Sequence, residues 1–240
     1  LISGQSGVGK TMLMQTFEGD DIVKFDSGIF ITGKFTMIAN DRPYLGISNA
    51  FNTTFQKAEG TPNEAFISRA IEAQLVDELP LLCTLLPSLR KILGNVETHA
   101  DSDYDESENS FEKVKFAFRV LTRLLCQTFK PLVLVLDDLQ WADAQSLQIL
   151  EYLISDIENE SKLMILGTYR SDEVDENSLL YNKIMALHEK RKDYDFLITE
   201  IELHPFTLED IDGIIQTAIS SKNDSRTKGL AEICLKRTRG

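Results

Sequence analysis

The sequence predicts an α/β fold: a doubly wound parallel sheet with helices on both faces, followed by the start of a helical lid subdomain. Three features of the 240-residue chain lead to this prediction. Short β-branched and aliphatic segments alternate with segments of helical periodicity. The run at 132–136 is continuously aliphatic, which is typical of a strand buried on both faces. Beyond residue 205 only helical periodicity remains, so we expect the α/β domain at 1–205 and the lid at 206–240.

The predicted elements follow from residue type and spacing. β-Branched and aromatic runs predict strands, whereas apolar residues at three- and four-residue steps predict helices. The predicted strands lie at 1–3, 27–33, 132–136, 163–168 and 196–203. The predicted helices begin at residue 10 and lie further at 44–55, 61–76, 79–93 (in short pieces), 111–125, 143–157, 179–190, 207–219 and 226–235.

Local signals mark several helix boundaries. The sequence T-P-N-E at 61–64 is typical of a capping box with proline at the first helical position. Pro80 and Pro87 should break the leucine-rich segment into short helices. The sequence T-L-E-D at 207–210 predicts a second helix cap, at the start of the lid.

A glycine-rich segment near the start of the chain carries the strongest functional signal. It fits G-x-x-x-x-G-K-[ST] without a mismatch, and its members are Gly4, Gln5, Ser6, Gly7, Val8, Gly9, Lys10 and Thr11. A strand-like segment precedes it and a helix follows, which is the context that a phosphate-binding loop requires. The glycines let backbone N–H groups face phosphate oxygens, Lys10 supplies a cation, and Thr11 supplies a hydroxyl for Mg²⁺. We therefore predict a P-loop NTPase fold that binds a nucleoside triphosphate, in preference to a chance glycine-rich turn.

Two adjacent carboxylates supply the second half of the predicted site. Asp137 and Asp138 follow the aliphatic strand at 132–136, at the strand end where ligands of open α/β sheets bind. Asp137 is predicted to hold Mg²⁺, and Asp138 to polarise the attacking water. The alternative is a solvated turn after a core strand, which the presence of the phosphate loop disfavours.

The strand at 163–168 leads into Arg170, the candidate sensor of the γ-phosphate. The alternative for Arg170 is a surface ion pair with Asp172 or Glu173, and the sequence leaves the two open. Trp141 is interpreted as packing against the helix that follows it. Lys34 is interpreted as a solvated loop residue rather than a catalytic one.

The segment at 97–108 is acidic and nearly free of aliphatic residues, which predicts a solvated loop. A calcium loop is the alternative, because its positions 1, 3, 5 and 12 are matched by Asp101, Asp103, Asp105 and Glu112. Glu106 replaces the glycine that such a loop requires at position 6, and this disfavours calcium.

Bulk composition narrows the function classes. The net charge is −13 and the sequence pI is about 4.7, which argues against a dedicated nucleic-acid-binding role. Cys83, Cys126 and Cys234 are scattered without metal-ligand spacing, so a reducing, cytoplasmic location is expected. No apolar run is long enough to span a bilayer. The first residues are typical of the middle of a strand, so we expect the chain to be a segment of a longer polypeptide.

The assembled motifs resemble the AAA+ division of P-loop NTPases, and within it the signal-transduction (STAND) branch with origin-recognition-complex-like ATPase modules. The resemblance covers nearly the whole chain and rests on LISGQSGVGKT, GIFITGKF, PLVLVLDDLQWADAQSLQIL and LMILGTYRSDEV. It implies that the sensor strand lies between the phosphate-loop strand and the acidic strand. It further implies that ATP/ADP exchange, with Mg²⁺, switches a larger signalling protein whose ATP state assembles into homo-oligomers.

The resemblance also implies individual roles. Residues 4–11 bind phosphates, Asp137 serves Mg²⁺, Asp138 is the acid associated with hydrolysis and Arg170 is the sensor, while Pro205 resembles the proline that lies near the adenine. An arginine finger and a second sensor are not assigned, so slow hydrolysis is expected. The alternatives are a nucleotide-binding interaction platform without hydrolysis, a DNA-loading ATPase and a small-molecule kinase. The acidic surface disfavours the DNA-loading ATPase, and the acidic pair disfavours the kinase.

Overall fold

A computed structural model describes most of the chain. The described residues are 1–19, 28–37, 43–94, 108–156, 163–192, 194, 196–219 and 225–238. The acidic loop was predicted at 97–108. Its residues 97–107 lie outside the described residues, and so do Asp101, Asp103 and Asp105 of the calcium alternative, whereas Glu108 begins a helix.

Five parallel strands form one sheet in the described part of the chain. The strands are β1 (Ile2–Gly4), β2 (Ile29–Lys34), β3 (Leu132–Asp137), β4 (Leu163–Arg170) and β5 (Ile201–Leu203). Their order across the sheet is β2-β3-β4-β1-β5, and every recorded pairing is parallel. This arrangement confirms the doubly wound parallel sheet. It also confirms that the sensor strand β4 separates the phosphate-loop strand β1 from the acidic strand β3.

Helices connect the strands and follow the last of them. They are α1 (Lys10–Gly19), α2 (Leu45–Ala58), α3 (Pro62–Gln74), α4 (Leu79–Leu85), α5 (Leu89–Leu93), α6 (Glu108–Thr128), α7 (Ala144–Ile154), α8 (Leu179–Lys190), α9 (Leu208–Ala218) and α10 (Ser225–Thr238). A short 3₁₀ turn, Leu139–Trp141, follows β3 directly. No helix among the described residues is both long and apolar enough to cross a membrane.

The alternation of side chains along β3 divides the core into two faces. Leu132, Leu134 and Leu136 belong to the larger hydrophobic cluster, which α2, α3, α6, α7 and α8 cover. Val133 and Val135 point to the opposite face, where the cluster includes residues of α1. Successive side chains of a strand point to opposite faces, so a strand covered on both sides must be apolar throughout. The aliphatic run thus places the acidic pair at the end of a fully buried central strand.

The predicted capping box at the start of α3 is wrong, although the helix itself begins at Pro62 as expected. The Thr61 hydroxyl donates to the carbonyl of Ala58 instead, at 2.7 Å. The Glu64 carboxylate accepts the N–H of Gly60, at 2.6 Å. Gly60 has a φ of +73°, which turns its N–H toward Glu64. The two side chains that would form the box therefore stabilise the turn between α2 and α3.

Two other predicted elements are longer than the observed ones. β5 begins at Ile201 rather than at residue 196, because it pairs only with the three residues of β1. α7 ends at Ile154, and residue 157 lies outside the described ranges. The predicted cap of α9 is confirmed: Thr207 and Asp210 exchange side-chain-to-backbone hydrogen bonds in a complete capping box.

Candidate nucleotide-binding site

The phosphate loop connects β1 to α1 and has the backbone that an anion cradle needs. Gly7 and Gly9 have φ values of +85° and +100°, in the region that a glycine adopts without strain. A Cβ added to Gly4 would lie 2.5 Å from the carbonyl oxygen of Leu203, so only glycine fits between β1 and β5 there. Most of the loop is exposed, and α1 begins at its end, which directs the positive end of a helix dipole to the same point.

Lys10 lies folded into this loop. Its side chain is buried, and Nζ donates to the carbonyl oxygens of Gly4 and Gln5 at 2.8 Å each. Burial lowers the pKa of Lys10, while the negative charge of Asp138 acts in the opposite direction. The ammonium is therefore already desolvated and bonded to the loop that would surround a phosphate group.

Asp137 ends β3 and approaches the phosphate loop. Its Oδ2 lies 3.5 Å from Thr11 Oγ1 in α1, although the two residues are 126 positions apart in the sequence. Its Oδ1 accepts a 2.6 Å hydrogen bond from the buried hydroxyl of Thr168. Burial would raise the pKa of Asp137, but hydrogen bonds from Thr168 and Lys34 outweigh it and lower the pKa. Asp137 is therefore held as a carboxylate next to the Thr11 hydroxyl.

Asp138 turns the chain sharply at the end of β3. Its φ of 60° and ψ of 49° are left-handed, a conformation that aspartate tolerates better than most residues. Its backbone N–H donates to Thr168 Oγ1 at 3.2 Å, and its Oδ1 accepts from Gln140 Nε2 at 3.1 Å. Thr168 and Gln140 thus fix both the backbone and the carboxylate of Asp138.

Lys34 belongs to the site, and the interpretation of it as a solvated loop residue is wrong. It is the last residue of β2, and its Nζ lies 2.9 Å from Asp137 Oδ2 and 2.6 Å from Asp138 Oδ2. Its side chain nevertheless remains 54% exposed. The hydrogen bond with Asp138 raises the pKa of Lys34, and burial opposes it. Lys34 lies beside the two aspartates because β2 pairs with β3 in a register that brings Lys34 opposite Asp137. The sequence alone does not reveal that register.

Arg170 forms one of the two ion pairs that the sequence suggested, with Glu173, while its role as a sensor of the γ-phosphate stays a prediction. Its Nε lies 3.7 Å from Asp138 Oδ1, and its Nη1 forms an ion pair with Glu173. Its guanidinium carbon lies 4.7 Å from the ring centroid of Trp141, whose Nε1 donates to Glu173 at 3.0 Å. Trp141 also packs against the larger hydrophobic cluster, which includes residues of α7, the helix that it was predicted to contact. Arg170, Trp141 and Glu173 form a cluster beside the acidic pair.

Thr168 and Gln140 are site residues that sequence reasoning missed. Thr168 is a buried polar residue near the end of β4. A polar residue near the end of an otherwise apolar strand is the sequence signal that could have identified it. Gln140 bridges two elements, because its Nε2 donates to Asp138 and its Oε1 accepts the N–H of Arg170 at 3.2 Å.

Pro205 is the residue predicted to lie near the adenine. It is half-buried, and it comes two residues after Leu203, which lies against Gly4 of the phosphate loop.

The donor set fits a magnesium–triphosphate. The hydroxyl of Thr11 and the carboxylate of Asp137 are hard oxygen ligands, which Mg²⁺ prefers. Among the described residues there is no cluster of three or more His, Cys, Asp or Glu side chains that could hold a metal ion alone. Protein sites for Mg²⁺ usually hold the ion by one or two side chains together with substrate phosphates. The positive-φ glycines and Lys10 provide the matching anion cradle.

The fold and the loop together define a P-loop nucleotide-binding domain of the α/β class. The family model described as "AAA ATPase domain" matches residues 1–166, more than half of the chain. The chain therefore belongs to the AAA ATPase domain family, for which ATP with Mg²⁺ is the general ligand.

Two further proteins are similar to parts of the chain, one in sequence and one in structure. The chain is 30% identical over 156 residues to hybrid signal transduction histidine kinase G of Dictyostelium discoideum. That match covers 64% of this chain and only 4% of the kinase. A Walker-type ATPase of Pyrococcus abyssi is similar in structure with a TM-score of 0.47 and 14% identity, covering 98% of this chain and 57% of the ATPase.

Proposed function

We propose that the chain is an ATP-binding, slowly ATP-hydrolysing switch module of a larger signal-transduction protein. The observation that carries the proposal is the 3.5 Å approach of Thr11 Oγ1 to Asp137 Oδ2. It joins the two halves of the predicted site across the intervening strand β4. A phosphate loop alone would support nucleotide binding, whereas the added carboxylates support hydrolysis as well.

Each site residue has a distinct role in this proposal. Residues 4–11 bind the phosphates, with Lys10 moving from the loop carbonyls to the β- and γ-phosphates. Thr11 and Asp137 hold Mg²⁺, which when bound neutralises phosphate charge. Pro205 borders the adenine.

Asp138 is the proposed catalytic acid–base residue. Its carboxylate lies at the open end of the sheet, held by Gln140 and Lys34, and can accept a hydrogen bond from the attacking water. Arg170, 3.7 Å from the same carboxylate, can report whether a γ-phosphate is present by exchanging its contact with Glu173 for one with phosphate.

We further propose that the nucleotide state is transmitted through the helices beyond the sheet. The α/β domain would comprise 1–205 and the start of a helical lid 206–240. Helices α9 and α10 pack against each other, and α9 begins soon after Pro205 at the capping box of Thr207. Neighbouring signalling domains of the same polypeptide, and homo-oligomers in the ATP state, would receive the signal. The hybrid histidine kinase relative supports the signalling context, and a cytoplasmic location follows from the same proposal.

A second candidate is a nucleotide-binding platform without significant hydrolysis. The observation that favours it is the ion pair of Lys34 with both aspartates, since a carboxylate engaged by an ammonium is a weaker base toward water. A DNA-associated role has less support, because the net charge of −13 repels a polyanion.

Fluorescence of Trp141, the one tryptophan of the chain, tests the proposal. Because its ring stacks on Arg170, ATP with Mg²⁺ should change the emission in a saturable way, and ADP should give a different end point. Phosphate release should follow at a slow, Mg²⁺-dependent rate. Saturable binding with no phosphate released in a single turnover, including by the full-length protein, would favour the platform. An absence of any binding by calorimetry would contradict both candidates.

A further inference from the structure

Lys34 is the unassigned cation of the site, and its position is set by the sheet. β2 pairs with β3 in register from Ile29 with Leu132 to Lys34 with Asp137. The pairing continues one step further, since the N–H of Phe35 donates to the carbonyl of Asp137 at 3.0 Å. Gly33, the preceding residue of β2, lets the strand approach α2 closely, because a Cβ there would lie 2.0 Å from the carbonyl oxygen of Gly46. The backbone thus places Lys34 beside the acidic pair, where its side chain is 54% exposed.

The charges around the two aspartates explain why a cation is needed there. Asp137 and Asp138 are adjacent, and each is only 6% exposed. Two carboxylates in such a place repel each other unless a positive charge lies between them. The ammonium of Lys34 bridges one oxygen of each, at 2.9 and 2.6 Å, whereas Arg170 reaches only Asp138, at 3.7 Å. Thr168 and Gln140 contribute hydrogen bonds but no charge.

The oxygen that Lys34 engages is also the one that faces the phosphate loop. Asp137 Oδ2 lies 2.9 Å from Lys34 Nζ and 3.5 Å from Thr11 Oγ1, whereas Oδ1 is occupied by Thr168. A divalent cation near Thr11 would therefore meet the ammonium at the same carboxylate oxygen. Two positive charges a few ångströms apart repel each other at such a partly buried site. The half-exposed side chain of Lys34 can swing into solvent at little cost, so it is the group that yields.

We propose that Lys34 is an internal counter-ion of the acidic pair, which competes with the divalent cation for Asp137 Oδ2 and leaves when that cation binds. The inference rests on the proposed function, because it uses the same metal position. It adds a regulatory element, since the ammonium of Lys34 neutralises the carboxylates of Asp137 and Asp138. Metal-bound nucleotide must displace it, which couples the end of β2 to the nucleotide state.

Binding of Mn²⁺ without nucleotide tests this inference directly. Free Mn²⁺ is measured by its electron paramagnetic resonance signal during a titration at low ionic strength. Removal of the competing charge in Lys34→Met should tighten Mn²⁺ binding about 3- to 10-fold relative to the unsubstituted chain. Lys34→Arg, which keeps the charge, should leave the dissociation constant near that of the unsubstituted chain.

The matched control is Lys91→Met, which changes the net charge equally at a side chain that is 64% exposed on α5. It should leave Mn²⁺ binding unchanged. An equal or weaker affinity in Lys34→Met, or an equal gain in Lys91→Met, would overturn the inference, and so would undetectable Mn²⁺ binding in every chain.

Thermal unfolding shows whether each variant is folded. Lys34→Met and Lys34→Gln should both have a lower Tm than the unsubstituted chain in EDTA, and Mn²⁺ should raise their Tm by a larger amount. If both variants stay unfolded even with Mn²⁺, Lys34 is a fixed structural residue and the inference is wrong. Metal-free ADP binding, measured on the unsubstituted chain, tests the proposed function separately, so the two can fail independently.

Discussion

Lys10→Ala should abolish detectable ATP binding, with an affinity loss of about 100-fold or more. Hydrogen bonds to charged groups contribute about 1.5–3 kcal/mol each, and this ammonium can make several to the β- and γ-phosphates. Its side chain is buried against the loop, so less water has to be removed from the ammonium than from an exposed lysine when it meets phosphate. The substitution also deletes the bonds to the carbonyls of Gly4 and Gln5, so a modest fall in Tm is expected.

Isothermal titration calorimetry with ATP and Mg²⁺ measures the effect of Lys10→Ala. Lys91→Ala is the control, because it removes one positive charge from an exposed side chain remote from the loop. An affinity of Lys10→Ala within a few-fold of the unsubstituted chain, in a folded variant, would show that the loop does not bind the phosphates.

Asp138→Asn should retain ATP binding and lose turnover by about 10²- to 10⁴-fold, the usual contribution of a general acid or base. Asparagine is nearly isosteric with aspartate and is among the residues that best tolerate left-handed backbone, so the turn at φ 60° should survive. The amide cannot take a proton from water, whereas the phosphate loop and Asp137 are unchanged. Binding and turnover should therefore separate cleanly in this variant.

Single-turnover phosphate release from Asp138→Asn, together with its ATP affinity, gives the comparison. Asp77→Asn serves as the control, because it makes the same change at an exposed residue after α3. If Asp138→Asn released phosphate at the rate of the unsubstituted chain, the catalytic assignment would be incorrect.

Much of the fold could be predicted because local patterns and tertiary packing agree. The continuous aliphatic run at 132–136 predicts an interior strand covered on both faces, and β3 is indeed buried at all six positions. The helix predicted at 179–190 has the bounds of α8, and in the structure the side chain of Ser178 caps its first turn by accepting the N–H of Tyr181. β5 was predicted too long, because its length is set by pairing with β1. The two strands are about 200 residues apart along the chain, and sequence periodicity cannot reveal such a partner.

The candidate site was predictable where a motif carried the chemistry, and not where strand pairing did. The loop at 4–11 and the pair Asp137–Asp138 could be recognised from sequence. Lys34 could not, because a lysine after a short strand is usually solvated, and only the register of β2 on β3 brings it to two carboxylates. The capping box predicted at Thr61 failed for a local reason, since the N–H of Gly60 in the preceding turn binds the Glu64 carboxylate.

The central claim is that the phosphate loop and the acidic pair hold one magnesium–triphosphate between them. The most direct test is the change in ATP affinity on adding Mg²⁺, measured by calorimetry on the unsubstituted chain and on Asp137→Asn. We expect Mg²⁺ to tighten ATP binding in the unsubstituted chain, and this gain to shrink about 10-fold or more in Asp137→Asn while the Mg²⁺-free affinity is kept. An identical Mg²⁺ gain in both chains would contradict the claim, because Asp137 would then lie outside the metal site.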